Sequence, residues 1–181
     1  MKLKFFVFII AICSSVQLCC AQDKLFSKTG KIEFKALDDN DVDASSRAAT
    51  ILLDAKTGGF NFSILVKSFE FEKALMQEKF NNQVLETDKF PKAAFDGQIT
   101  NAQSVNYQKA GTYNVEIKGR LTLHGITHDI TMQGTITVDN AKVVAKASYK
   151  VLLGDYQVHN PGIGDSGIQI NAEFNLEPLK N

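Results

Sequence analysis

The chain has 181 residues, with 20 basic and 20 acidic side chains, 13 Phe, 4 Tyr and no Trp. With no charge excess, basic stripe or polybasic tail, it carries no electrostatic footprint for nucleic acid or for anionic lipid headgroups. All three cysteines (Cys13, Cys19 and Cys20) lie in the first twenty residues, so the rest of the chain has no thiol for a disulfide, a thiolate metal site or a Cys nucleophile.

The N-terminus reads Met1-Lys2-Leu3-Lys4, then an apolar run from Phe5 to Ile12, then a short stretch ending at Ala21. A cationic start, a short apolar run and a small final residue make residues 1–21 a secretory signal peptide, cleaved after Ala21. The run is shorter than the roughly 20 apolar residues that a membrane-spanning helix needs. The protein is therefore expected to be exported to the periplasm. Cys19 and Cys20 raise lipoprotein anchoring as an alternative, which the bulky Leu18 ahead of Cys19 disfavours. Loss of Lys2 and Lys4 leaves the remainder slightly acidic. Residues 22–181 contain no Pro-rich, Gly/Ser-rich or repeated stretch, so they form one domain. About 160 residues can bury roughly 68–70% of their unfolded surface, enough for a core without disulfides.

Period-two alternation then recurs along the chain, the mark of strands with one dry and one wet face. It runs through Lys31–Lys35, Ala49–Leu53, Phe60–Val66, Ala93–Ile99, Tyr113–Leu123, Ile126–Val138, Val143–Val151 and Ile168–Leu176. Turn signals separate the runs at Asp38–Asp41, Lys56-Thr57-Gly58-Gly59, His124-Gly125 and Asp139-Asn140. One segment breaks the rule. Phe71–Phe80 places Phe71/Leu75 and Met76/Phe80 four residues apart among strong helix formers, which predicts a short amphipathic helix between strands three and four.

Eight largely sequential, half-wet strands can close into a barrel or split into a sandwich. The long hairpin strands from Tyr113 to Leu153 favour the barrel, whose interior side chains can fill or which can hold one slender ligand. The expected fold is thus an all-β, eight-stranded antiparallel barrel with one helical insertion. Its inner wall is drawn from Phe62, Ile64, Phe95, Ile117, Leu121, Ile130, Met132, Tyr149 and Phe174. The helix offers Leu75, Met76 and Phe80 as a lid or a plug, Met76 being a soft contact for a lipid.

Catalytic and metal chemistry find little footing. His124 and His128 flank a turn, the first in the wet set and the second in the dry set, which points them to opposite faces and argues against a shared metal. His124 is expected to bond across its own turn. Gly164-Asp165-Ser166-Gly167 has the letters of a reactive serine loop but not its strand–turn–helix setting, and reads as a turn. No phosphate loop or dinucleotide fingerprint occurs. No cofactor is expected.

The run Gly119-Arg120-Leu121-Thr122-Leu123-His124-Gly125-Ile126-Thr127 resembles a hairpin of the YceI-like family of exported lipid-binding domains. Ser68-Phe69, Phe80-Asn81-Asn82 and Phe90-Pro91-Lys92-Ala93-Ala94-Phe95 resemble that family's helical insertion and its next strand entry. The first strands depart from the family pattern: Lys31–Lys35 leads into the acidic Asp38–Asp43 loop without the family's His-Leu pair. The resemblance implies a lipocalin-like barrel whose apolar pore holds an isoprenoid or related lipid.

The expected role is a non-enzymatic carrier or sequestering protein for an apolar, chain-like molecule such as an isoprenoid, a quinone or a fatty acyl lipid. A homodimer stays open. Three rivals remain. A ligand-free, filled barrel could serve as a stress or interaction protein. An outer-membrane barrel would need aromatic girdles, which a chain without Trp ending Leu-Lys-Asn does not supply. An enzyme in the same pocket would have only Asp155, Tyr156 and His159 as candidates.

Overall fold

The computed structural model describes residues 23–37, 43–140, 142–159 and 167–179. Residues 1–22 (which include the expected signal peptide), most of the Asp38–Asp43 loop and the serine-like turn at 164–166 lie outside the described residues.

Eight strands follow one another: β1 (Lys24–Ala36), β2 (Asp43–Asp54), β3 (Gly59–Leu65), β4 (Lys92–Ile99), β5 (Gly111–Leu123), β6 (Ile126–Asp139), β7 (Lys142–Val151) and β8 (Ile168–Pro178). Each pairs antiparallel with its neighbours, and β8 returns to β1, so the sheet closes into an up-and-down barrel. Closure removes both edges, which would otherwise template aggregation. The alternation predicted for the strands is the burial pattern observed. In β8, Ile168, Ile170, Ala172, Phe174 and Leu176 are buried while Asn171 and Asn175 face water.

β1 and β2 are longer than their alternation suggests. Irregularities between Ser27, Gly30 and Ile32 shift the β1–β2 register. Each moves the next side chain to the other face, so the period-two signal stops short although the strand continues.

The chain order decides which ends meet. In an up-and-down barrel the last residues of β1, β3, β5 and β7 share one end with the first residues of β2, β4, β6 and β8. The opposite half is packed solid. There Phe60, Phe95 and Phe174 converge, Phe60 edge-on to Phe95 (centroids 6.2 Å apart) and Phe174 (6.5 Å), and Phe62, at the boundary between the two halves, stacks on Phe95 (5.5 Å). Ile51, Leu53, Ile99, Ile117, Met132 and Ile136 fill the space around them and are almost wholly shielded. Gly30 belongs to this packing, since a Cβ there would run into the Phe174 ring.

The helical insertion between β3 and β4 differs in detail from its sequence pattern. Helix α1 spans Ala74–Lys79 and widens into a π-helical turn at Phe80–Val84. Phe71 precedes it outside any regular element, its N–H donating to the Gln77 side chain at 3.2 Å. That ring is used in packing against Phe34 (5.7 Å) rather than in a helical pair with Leu75.

Replacing Gly30 with Ala should destabilise the fold by about 1–3 kcal/mol, the usual cost of overfilling a packed core. Urea denaturation would measure it, and adding Phe174→Leu to the same chain should recover part of the loss.

Candidate ligand-binding site

At the end where the odd strands finish, the interior is not filled. A partly open cavity of about 70 Å³ lies between the barrel wall and the segments that cover it. Its wall comes from Ile32 and Phe34 of β1, Phe62 and Ile64 of β3, Leu121 and Leu123 of β5, Tyr149 and Val151 of β7, and Ile168 and Ile170 of β8. The cover comes from Phe80, Val84 and Leu85 of the insertion and from Leu153 and Val158 after β7.

The insertion is held down by one aromatic cluster and one polar pin. Phe34 of the wall meets Phe69 (5.3 Å), Phe71 (5.7 Å) and Phe80 (5.6 Å, stacked), and Phe71 meets Phe80 at 4.8 Å. Such pairs add roughly 0.5–1.5 kcal/mol each beyond their area. Beside them the buried Ser46 shares a hydrogen bond with Ser68 (2.8 Å), and Ser45 and Glu70 exchange two backbone bonds.

Among the described residues, every lining side chain is hydrocarbon except Tyr149. That ring is deeply embedded yet keeps some exposure; as it points inward, the exposure is to the cavity and its mouth. Its hydroxyl makes no hydrogen bond to another described residue, and burial followed by the neighbouring Tyr156 raises its ionisation far above a free phenol's. Tyr156 is pushed up to about 12 by burial and then by the Asp155 charge. Both phenols are therefore neutral donors under ordinary conditions.

Of the residues expected to form the wall and lid, Phe62, Ile64, Phe80, Leu121 and Tyr149 come together around this cavity. Phe95, Ile117, Met132 and Phe174 face inward but belong to the filled half. Ile130 and Met76 are partly buried against the core without lining the cavity. Leu75 is a correction: it is 62% exposed and points to solvent, because the helix begins after Phe71 and turns Met76 and Phe80 inward instead. Ile32, Phe34, Ile168, Ile170, Leu153 and Val158 were not singled out by sequence, although the up-and-down order already places the strand residues among them at this end.

The histidines also differ from expectation. The Tyr156 carbonyl accepts from His124 Nδ1 at 3.2 Å, so His124 bonds 32 residues away and not across its own turn. His128 has the inward parity, opposite Leu121, but sits exposed at the rim, where its Nε2 donates to the Asp155 carbonyl at 2.8 Å. The two rings thus reach consecutive carbonyls of one turn instead of opposite faces. Among the described residues no three His, Cys, Asp or Glu gather in a way that could hold a metal. Asp155 and His159 are exposed and Tyr156 is buried, and no hydrogen bond joins their side chains.

A closed eight-stranded barrel with an apolar end-cavity under a short helical cover is a lipocalin-like architecture. The family model described as "YceI-like domain" matches residues 21–177, and the chain belongs to that family. Solved structures agree on the fold. A polyisoprenoid-binding domain from Saccharophagus degradans, described as implicated in plant cell wall breakdown, superposes with TM-score 0.72 at 13% identity, covering 87% of this chain and 99% of that one. BcnA of Burkholderia cenocepacia gives 0.62 at 18% identity, covering 81% and 94%. A Campylobacter jejuni YceI protein gives 0.54 at 17%, covering 74% and 81%. No curated protein matches the sequence.

The tyrosines make a pH prediction. Tyr149, Tyr156 and Tyr107 all have raised values, Tyr107 to about 12 through burial and the Asp54 charge. A phenol that ionises less readily when folded contributes stability below its unfolded value of 10.0, and that contribution is lost as pH rises from there. Unfolding free energy should fall steadily above pH 10, and ultraviolet titration should show most of the tyrosine absorbance change coinciding with unfolding.

Proposed function

We propose that this domain binds the apolar chain of a small lipid at the covered end of the barrel, and carries or sequesters it outside the cytoplasm without altering it chemically. The observation that supports this most is the cavity wall, whose described residues are hydrocarbon but for one hydroxyl. Burying methylenes contributes about 0.8 kcal/mol each, so ten give roughly 8 kcal/mol, a micromolar affinity before ordering costs.

The wall also favours one kind of head. Among the described residues it has no Lys, Arg or His, and an unpaired charge is very costly away from water. A phosphate or carboxylate finds no partner inside. A neutral oxygen does, on the Tyr149 hydroxyl. The ligand that suits the cavity is therefore a chain with a neutral acceptor, an isoprenoid alcohol or quinone before a free fatty acid.

The size of the cavity favours a second reading. About 70 Å³ is well below the roughly 300–1,000 Å³ of pockets that enclose drug-sized ligands. A filled barrel acting through its surface would look similar, and a long chain needs the cover to move.

Titration with farnesol and with farnesyl phosphate would test the carrier reading. Farnesol should bind and the phosphate bind at least tenfold more weakly. Tyr149→Phe should weaken farnesol about fivefold to tenfold, the worth of one neutral hydrogen bond. Absence of farnesol binding, or equal binding of both with no effect of Tyr149→Phe, would contradict it.

A further inference from the structure

One side chain, His124, reaches both of the segments that cover the cavity. His124, on the turn between β5 and β6, is only 12% exposed. Its Nδ1 lies 3.2 Å from the Tyr156 carbonyl, on one cover. Its Nε2 is buried without a hydrogen-bond partner and lies 3.4 Å from a Glu86 carboxylate oxygen, on the other. The Phe90 ring packs against the imidazole at 4.3 Å. The neighbours of these partners line the cavity: Leu85 beside Glu86, Leu153 and Val158 around Tyr156, and Leu123 beside His124 itself.

The backbone is unusual here as well. Glu86 (φ 42°), His124 (φ 51°) and Gln157 (φ 54°) are all left-handed without being glycine, and the one other such residue described is Asn140 in a hairpin turn. Bulky residues adopt that conformation rarely, and it persists where surrounding contacts over-determine it. Three of them converge on one junction.

A neutral imidazole has one N–H, whereas an imidazolium has two. A carbonyl and a carboxylate both accept and neither donates. Only the protonated ring can serve both, and in the neutral ring one lone pair faces an oxygen. Among the described residues, the charged and titratable groups around it are Glu86 and Lys89 on the insertion, Asp155 and Tyr156 on the turn after β7, and His128 on β6. Glu86 is held below the usual carboxylate range, first by its bond to Lys89 and also by His124. Asp155 presents its carbonyl and leaves its side chain exposed. His128 uses one nitrogen only, on that carbonyl, which a neutral ring serves equally well.

We propose that His124 is a clasp over the cavity, a positioning residue that in its protonated form ties the insertion to the turn after β7 and in its neutral form lets one of them go. Its part in ligand exchange rests on the carrier reading above, but the clasp is testable without any ligand.

Hydrogen–deuterium exchange of the purified protein, corrected for intrinsic rates, would follow residues 80–90 and 153–158 between about pH 5.5 and 8, the range in which histidine changes charge. The segment that the neutral ring releases should open about tenfold more readily at the upper pH, the worth of one charge-assisted hydrogen bond. Strand amides in the filled half, such as Ile117 and Ile136, should not change. His124→Gln should give the high-pH behaviour throughout. Glu86→Gln, at a half-exposed position that does not threaten folding, should flatten the pH dependence of 80–90. Protection of the two segments that is independent of pH in the unmodified protein would overturn the clasp. So would a His124→Gln effect spread equally over the strands, because His124 would then be a general packing residue. Failure to find a bound lipid would leave this readout untouched.

Discussion

An eight-stranded barrel encloses room for about one layer of side chains across its axis, so each inward residue either meets another ring or faces a gap. In this chain both outcomes occur in the same barrel. Phenylalanines from β3, β4 and β8 meet at one half, with Phe62 at its boundary, and close it. In the other half the wall is largely aliphatic and the aromatic bulk is moved outward into the cover, where Phe34 gathers Phe69, Phe71 and Phe80. The filled half holds the fold together; the other half can then tolerate a gap. The gap is closed by the insertion and by the turn after β7.

That division explains why the covering segments are built as they are. The insertion is a short helix with no buried residue of its own, followed by a wider turn that delivers Phe80. Most of its attachment is through a few rings, a serine pair and two backbone bonds, not through a continuous ladder. Segments attached in that way open at lower cost than strands do. A cavity too small for a long chain and a cover with few anchors belong together if the occupant enters by displacing the cover.

The architecture was legible in the sequence because closure leaves every strand with one dry and one wet face, and Ile168 to Leu176 displays that pattern without a break. Depth was less legible. Alternation assigns Ile64, Phe95 and Ile117 alike to the interior, but it does not say whether an inward residue sits beside the four-ring cluster or beside the cavity. Ile32, Ile168 and Ile170 could have been found by combining face with strand direction, since the last dry residues of odd strands must meet the first of even ones. His124 could not. Its partners lie in the insertion and after β7, and a contact across 32 residues leaves no periodic trace. The exposed Leu75 shows the limit from the other side: a helical spacing of four was present, but Phe71 was already committed to Phe34.

The account stands on the covered half being a binding site and not a core left slightly loose. Native mass spectrometry of the protein purified from cells that express it, followed by organic extraction, measures that directly. The account predicts an adduct near one molecule per chain, released by extraction and identified as a chain lipid with a neutral head, and lost or weakened when Leu121→Arg places a charge in the wall. A protein that is consistently free of any hydrophobic adduct, and that takes none up when offered prenols or prenylquinones, would contradict it.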